Sequence, residues 1–397
     1  MHVLKRPSGD TYTLRLFTNL MRTVKQPKDA FYMWSACVDP KHVRISGLID
    51  SLKIYFYEDE ALYRNVLMNN IKNELVILGI KDHLTSTDFN PWLDTKPDLV
   101  AYWDNMFDYY PNKKFIVFTS LENLECYITN PRVKIIPWGG DLTNHKAEYE
   151  KLEPIDSKNF DSPYTYLSLN RGLRSHRAVL VSLLYGLNIN KSGLISCMFK
   201  NNMTDLLTYL KWEFTSKQQA IKDTICNGFD LLKNTQIALP TDRETNGNYP
   251  NSANGNNFKN SLINYYRETF VEIITETSCV ERCFNLTEKT LNSIYGKSFP
   301  ILISSPGVVA FLRNMGMDVF DDIVDHSYDE IENPIDRIYQ AVASNIELLT
   351  DNVEVKELWK LNEHRFIKNI DFAKTRLYNF YTQRTTDTFH EFIDSQN

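Results

Sequence analysis

Between residues 271 and 320 the apolar positions switch between a strand period and a helix period. Val271-Glu272-Ile273-Ile274-Thr275 is a short β-branched run ending at Glu276, and Ile301-Leu302-Ile303 is an unbroken apolar run, the pattern of buried parallel strands. A helix-start signature follows each. Thr287 is placed to cap a helix that begins at Glu288 and stops at Gly296. Ser305 is placed as an N-cap, Pro306 as the first helical residue, and Gly316 as the stop after Phe311 and Leu312. Strand and helix in alternation predict a parallel sheet, and ligands of open parallel sheets bind beyond the carboxyl ends of the strands. Glu276, Glu288, Ser305 and Gly307 are therefore expected near one crevice.

Upstream, residues 52–57, 75–78, 115–118 and 133–138 have strand patterns, which makes the first part of the chain a mixed α/β domain. The last of these runs into Gly139-Gly140, either a close approach of backbone to a ligand or a tight turn. Asp141, Thr143, Asn144 and His145 follow, on the side of the first domain expected to face a cleft. A charged passage from Glu148 to Leu152, with Pro154 and Pro163 beyond it, reads as a linker. A strand over Tyr164 to Asn170 then leads through Arg171, Arg174, His176 and Arg177 into a helix from Ala178 to Tyr185. Cations at a strand-to-helix turn suit a diphosphate, because helix N-termini present free N–H groups and guanidinium forks match phosphate oxygens; a solvated basic turn is the plainer reading.

The Asn- and Gly-rich stretch from Pro240 to Lys259 has no apolar period and reads as a mobile loop, a lid or an insertion. A helix is expected from Ser261 to Phe270. Asn333-Pro334 starts another, with Ile335, Ile338, Val342 and Ile346 on one face, and residues 355–393 form an amphipathic helical tail that packs on the rest of the chain or binds a partner.

Composition adds limits. At 397 residues, 43% hydrophobic and 24% charged, the chain is large enough for two cores. No stretch approaches the roughly 18 unbroken apolar residues of a membrane span, and no signal-peptide core follows the start, so a soluble, cytoplasmic protein is expected. The six cysteines are too sparse for a disulfide framework, and Cys279 with Cys283 lacks the second ligand pair of a zinc site. The acidic residues Asp321, Asp322, Asp325, Asp329 and Glu330 read as a solvated face, so no metal is expected. A net charge of -6 excludes binding nucleic acid by charge alone. The first 53 residues run the other way, with nine basic against four acidic side chains, and Tyr12, Phe17, Phe31, Tyr32 and Trp34 lie among them as stacking or core groups.

Thr275-Glu276-Thr277, Leu286-Thr287-Glu288-Lys289-Thr290, Ser305-Pro306-Gly307, Phe311-Leu312-Arg313, Gly316 and Asp329 together resemble the donor-binding half of GT-B glycosyltransferases. The similarity is to fucosyltransferase-like enzymes and to glycosyltransferase-like proteins of phages and large viruses. It implies an α/β, GT-B-like fold: two Rossmann-like domains with an interdomain cleft and a C-terminal helical tail. Residues 1–155 would form the acceptor-side domain, 156–350 the sugar-nucleotide domain, and 351–397 helices packing back on the first.

The resemblance implies a sugar-nucleotide co-substrate such as a UDP- or GDP-sugar, with no other cofactor. Glu288 would hold the ribose, Thr287 and Lys289 lie beside it, and Lys289 points to a phosphate or to solvent. Arg171, Arg174 and Arg177 would take the diphosphate without a metal, and Glu276 with the Ser305-Pro306-Gly307 turn the sugar. Asp141 or His145 would be the base of an inverting enzyme. A hydroxymethylated or hydroxylated base in double-stranded phage DNA is the favoured acceptor, with a glycan or lipopolysaccharide as the alternative. A non-catalytic interaction protein on the same fold is the other class. A nucleotide-dependent epimerase or reductase ranks last, since no Gly-x-Gly-x-x-Gly turn follows the first strand.

Overall fold

The computed structural model describes residues 2–3, 30–35, 75–80, 114–119, 121–126, 128–137, 139, 149, 152–170, 174–197, 219–235, 262–276, 279 and 283–394. The chain divides into two compact units. Met1–Asn90, Asp94–Asn144 and Asn379–Asn397 form one, and Pro91–Leu93 with His145–Tyr378 the other.

The first unit holds a five-stranded parallel sheet of β1 (His2–Val3), β2 (Ala30–Ser35), β3 (Leu75–Ile80), β4 (Lys114–Thr119) and β5 (Val133–Pro137), ordered as they occur in the chain. Three of the expected strands are present as β3, β4 and β5, whereas residues 52–57 lie outside the described residues. Phe31, Tyr32 and Trp34 stand in β2, with Phe31 opposite Val76.

The second unit has a four-stranded parallel sheet in the order β7-β6-β8-β9, from β6 (Tyr166–Ser168), β7 (Gly193–Ile195), β8 (Val271–Thr275) and β9 (Phe299–Ile303). The chain lays β7 on one side of β6 and then β8 on the other, so the strand order reverses between β6 and β8. Such a reversal leaves a crevice at the carboxyl ends of the two strands, where α/β sheets take ligands. Every residue of β8 and β9 is buried, which fits runs that are apolar but for Glu272 and Thr275.

The helices are α1 (Ser175–Gly186), α2 (Gln219–Asn234), α3 (Ile263–Arg267), α4 (Glu288–Tyr295), α5 (Val308–Met315), α6 (Pro334–Ala343), α7 (Ile346–Thr350), α8 (Asn352–Phe372) and α9 (Tyr378–Asp394). Caps fall where the sequence puts them for α4 and α6: Thr287 accepts from the Lys289 N–H, and Asn333 from those of Ile335 and Asp336. The start of α5 differs. It begins at Val308 rather than Pro306, with Gly307 in the left-handed region at φ 83 as its cap residue. Val355, Trp359, Phe366 and Ile370 make the inner stripe of α8. Phe366 packs 5.0 Å from Phe299 of β9 and 4.7 Å from Phe320, an aromatic core against the sheet.

Helix α3 is shorter than expected, and Lys158 shows why. Its ammonium, fully buried, donates to the carbonyls of Tyr266 (2.7 Å) and Thr269 (2.5 Å) at the end of α3 and to Gly296 (2.7 Å) at the end of α4. One side chain thus caps two helix C-termini, where a cation also meets the negative ends of the dipoles. Burial pulls the Lys158 amine well below its ordinary pKa, against the opposing pull of nearby Glu272.

Glu272, in β8, accepts from the Tyr266 hydroxyl at 2.7 Å, and burial raises its carboxyl from the ordinary 4.5 to about 8. The fold therefore favours the protonated acid, a contribution complete below pH 4.5 and lost as pH rises through about 8. The neutral isostere Glu272→Gln is expected to gain melting temperature over the natural protein across that window. The gain should be on the order of 5 °C at its upper end and absent at its acidic end, read by thermal denaturation at stepped pH.

Candidate functional site

At the reversal of strand order in the second unit, the ends of β6, β7 and β8 are tied by Asn170. Its backbone N–H donates to Ser196 Oγ (2.8 Å) and its side-chain amide to Ser168 Oγ (2.9 Å), while its Oδ1 accepts from Thr275 Oγ1 (3.3 Å). All four are buried, so the hydrogen bonds replace water that cannot reach them.

Helix α1 starts beside this cluster. Arg174 is its N-cap residue, extended at φ -144 and ψ 146, half-buried and with no side-chain cap bond. His176 and Arg177 turn inward. His176 donates from Nε2 to the Glu276 carbonyl at 2.9 Å, and Arg177 Nη2 donates to the carbonyls of Thr275 (3.3 Å) and Glu276 (3.4 Å). Burial, then the Arg177 charge, holds the His176 imidazole well below its ordinary pKa; Arg174 and Lys289 push the same way. The ring is therefore held neutral. Its Nδ1 has no hydrogen-bond partner among the described residues.

Helix α4 starts on the other side of Glu276. The Glu276 carboxylate, with no exposure, accepts from the Thr287 N–H (3.1 Å), the Thr287 hydroxyl (2.6 Å) and the Thr290 hydroxyl (2.8 Å). Lys289 Nζ lies 3.6 Å from it, donates to Thr287 Oγ1 at 2.8 Å, and sits 3.8 Å from Glu288. Glu288 and Lys289 remain about a quarter exposed, at 25% and 24%. Tyr149 donates to the Glu288 carbonyl at 3.4 Å and also bonds Asn292.

Ser305 and Gly307 bond to other segments. The Ser305 hydroxyl is buried and donates to the Cys283 carbonyl at 3.0 Å, so it does not cap α5. Asp329 does, accepting from Val309 N (3.1 Å) and Ala310 N (3.0 Å), while its carbonyl takes the Gly307 N–H at 2.9 Å. An anion from elsewhere in the chain thus occupies the positive end of this helix. Arg337, fully buried on α6, donates to the carbonyls of Ser304 (2.9 Å), Glu332 (3.1 Å), Ile331 and Cys279, pinning the segments that follow β8 and β9. An amphipathic helix pattern carries no signal for that role.

Arg171, Asp141 and His145 lie outside the described residues. In the first unit, Gly139 has φ 70, and a Cβ there would run into the Tyr381 ring of α9. Close approach is thus required by an aromatic side chain of the same unit. Nearby, Arg384 of α9 pairs with buried Glu122 at 2.6 Å. The acidic stretch of the second unit is engaged by arginines: Asp321 with Arg313 (2.6 Å), and Asp318 and Asp322 with Arg365 (2.6 and 2.8 Å). Among the described residues no three His, Cys, Asp or Glu side chains form a metal-binding group, and no helix is long and apolar enough to cross a membrane.

Because Asp329 satisfies two N–H groups that otherwise have no helical acceptor, Asp329→Ala should lower stability by about 1–2 kcal/mol. Asp321→Ala, which removes a half-exposed ion pair, should cost no more than about 1 kcal/mol, the two being compared by urea denaturation.

No protein-family profile and no curated protein sequence matches the chain. Among solved structures, an alpha,alpha-trehalose-phosphate synthase (UDP-forming) from Burkholderia vietnamiensis is similar at 12% sequence identity and a TM-score of 0.36, the match covering 98% of this chain and 81% of that one.

Proposed function

We propose that this protein is a glycosyltransferase whose second unit binds a sugar nucleotide where the strand order reverses. The observation that carries the reading is that Glu276 stands between two helix starts that bear cations: its carbonyl holds α1, where half-buried Arg174 makes no side-chain cap bond, and its carboxylate lies 3.6 Å from Lys289 in the first turn of α4. Phosphate oxygens are what such a corner suits, because N–H groups and cations both favour an anion there. The sequence resemblance of residues 275–316 to GT-B donor sites supports the same assignment.

In this reading the bond between the sugar's anomeric carbon and the phosphate oxygen breaks, and the nucleotide leaves with the electron pair. Arg174, with Arg171 three positions earlier in the sequence, offsets the charge that grows on the departing oxygen. Glu288, partly exposed at the first turn of α4, accepts from a ribose hydroxyl, and Lys289 beside it faces the phosphates. The acceptor hydroxyl forms the new bond to the anomeric carbon and gives its proton to a base, with Asp141 and His145 as candidates in an inverting enzyme. On the resemblance to phage glycosyltransferase-like proteins, a hydroxymethylated or hydroxylated DNA base is the preferred acceptor, with the basic, aromatic N-terminal sequence as its surface; a glycan hydroxyl is the alternative.

One observation favours a second reading, a non-catalytic binding protein. The starts of α4 and α5 are closed from within, by Glu276 and by Asp329, while α1 starts at Arg174 with no side-chain cap bond.

Titration with UDP-, GDP- and CMP-sugars should raise the melting temperature for one nucleotide class, and no rise at millimolar concentration refutes the donor site. Arg174→Ala and Glu288→Ala should keep the fold and weaken donor binding, on the order of tenfold or more for the arginine. Transfer that falls steeply with added salt would favour DNA as acceptor, and transfer indifferent to salt a glycan.

A further inference from the structure

We propose that Glu276 is a positioning residue that locks the starts of α1 and α4 to each other; the consequence for ligand binding rests on the donor-site reading above, whereas the lock itself rests on hydrogen-bond geometry. Three parts of residue 276 reach three different elements. Its N–H donates to the Ile303 carbonyl at the end of β9 (3.0 Å). Its carbonyl accepts from His176 (2.9 Å) and Arg177 (3.4 Å) of α1. Its carboxylate accepts from Thr287 twice and from Thr290, all of the α4 start.

This departs from the sequence expectation that Glu276 touches the sugar. The carboxylate has no exposure, both of its oxygens already hold short bonds, and Lys289 lies beside one of them. It acts through other residues. The residue type follows from the task. Two oxygens are needed, because Oε1 takes the Thr287 N–H and the Thr290 hydroxyl while Oε2 takes the Thr287 hydroxyl. Glutamine offers one acceptor oxygen, and aspartate is a methylene shorter than the reach from the end of β8.

The functional consequence is a fixed separation between Arg174 on one side and Glu288 with Lys289 on the other. A ligand that spans both helix starts then meets groups already in place and does not have to order them on binding.

The test compares the natural protein with Glu276→Gln and with Asn369→Ala, the latter a control that removes bonds to Asp318 far along the chain. Two readouts are taken: amide hydrogen exchange in peptides covering 174–178 and 287–291, and KM and kcat for the donor. Glu276→Gln is expected to speed exchange about tenfold in both segments, and to raise donor KM by more than it lowers kcat. Asn369→Ala should lower the melting temperature without moving KM. Faster exchange at 287–291 with 174–178 unchanged overturns the lock, as does an unchanged KM in Glu276→Gln alongside a melting loss like that of the control. If Glu276→Gln does not fold, Thr290→Val, which removes one of the three bonds, takes its place. About threefold faster exchange in both segments supports the proposal and an effect confined to 287–291 refutes it. If the natural protein neither binds nor uses any donor, the donor-site reading falls, and the exchange result alone decides the lock.

Discussion

A carboxylate sealed from water has to find donors inside the protein, since leaving one unpaired costs several kcal/mol, and in the second unit that constraint falls on Glu276. Its donors are the N–H and hydroxyl groups where α4 begins, which are themselves short of acceptors. Each side resolves the other's deficit. The pairing fixes where α4 leaves the sheet, and so where Glu288 and Lys289 stand relative to the arginine-bearing start of α1.

The same logic recurs wherever this unit ends a helix or strand in a dry place. Lys158 supplies three N–H bonds to carbonyls left over at the ends of α3 and α4, Asp329 supplies acceptors at the start of α5, and Arg337 collects four carbonyls from the segments after β8 and β9 and before α6. These are buried charges matched to the polar ends of elements, where N–H and C=O groups run out of partners. The apolar contacts of Phe299, Phe320 and Phe366 hold the layers together, but they do not set the ends. The charged side chains do, and the ends are where the candidate site lies.

For function, this sorts polar residues that look alike in the sequence. Arg174, Glu288 and Lys289 keep exposure and can meet a ligand; Arg177, His176, Glu276, Thr287 and Ser305 spend their hydrogen bonds inside the fold. A site made of the first group is positioned by the second. The distinction carries a chemical cost as well as a benefit, because buried groups such as Glu272 and His176 are held in their neutral forms and their charging strains the fold.

Local pattern alone determined much of the second unit. The apolar runs at 271–275 and 301–303 are strands, Thr287 and Asn333 cap helices, and Gly296 and Gly316 end them, because each depends on a residue's own conformational preference and on neighbours within one turn. Short strands such as β7, at three residues, and β1, at two, give too little period to be recognised. What only the tertiary structure decided is which polar residue serves which end. Asp329 caps α5 from 20 residues away in place of Ser305, and Lys158, in a stretch that reads as a linker, caps two helices from more than 100 residues away. Glu276, a sugar ligand by its place after a strand, is a brace by its surroundings. Hydrogen bonds to buried groups are chosen by proximity after the layers have packed, and sequence spacing does not record that proximity.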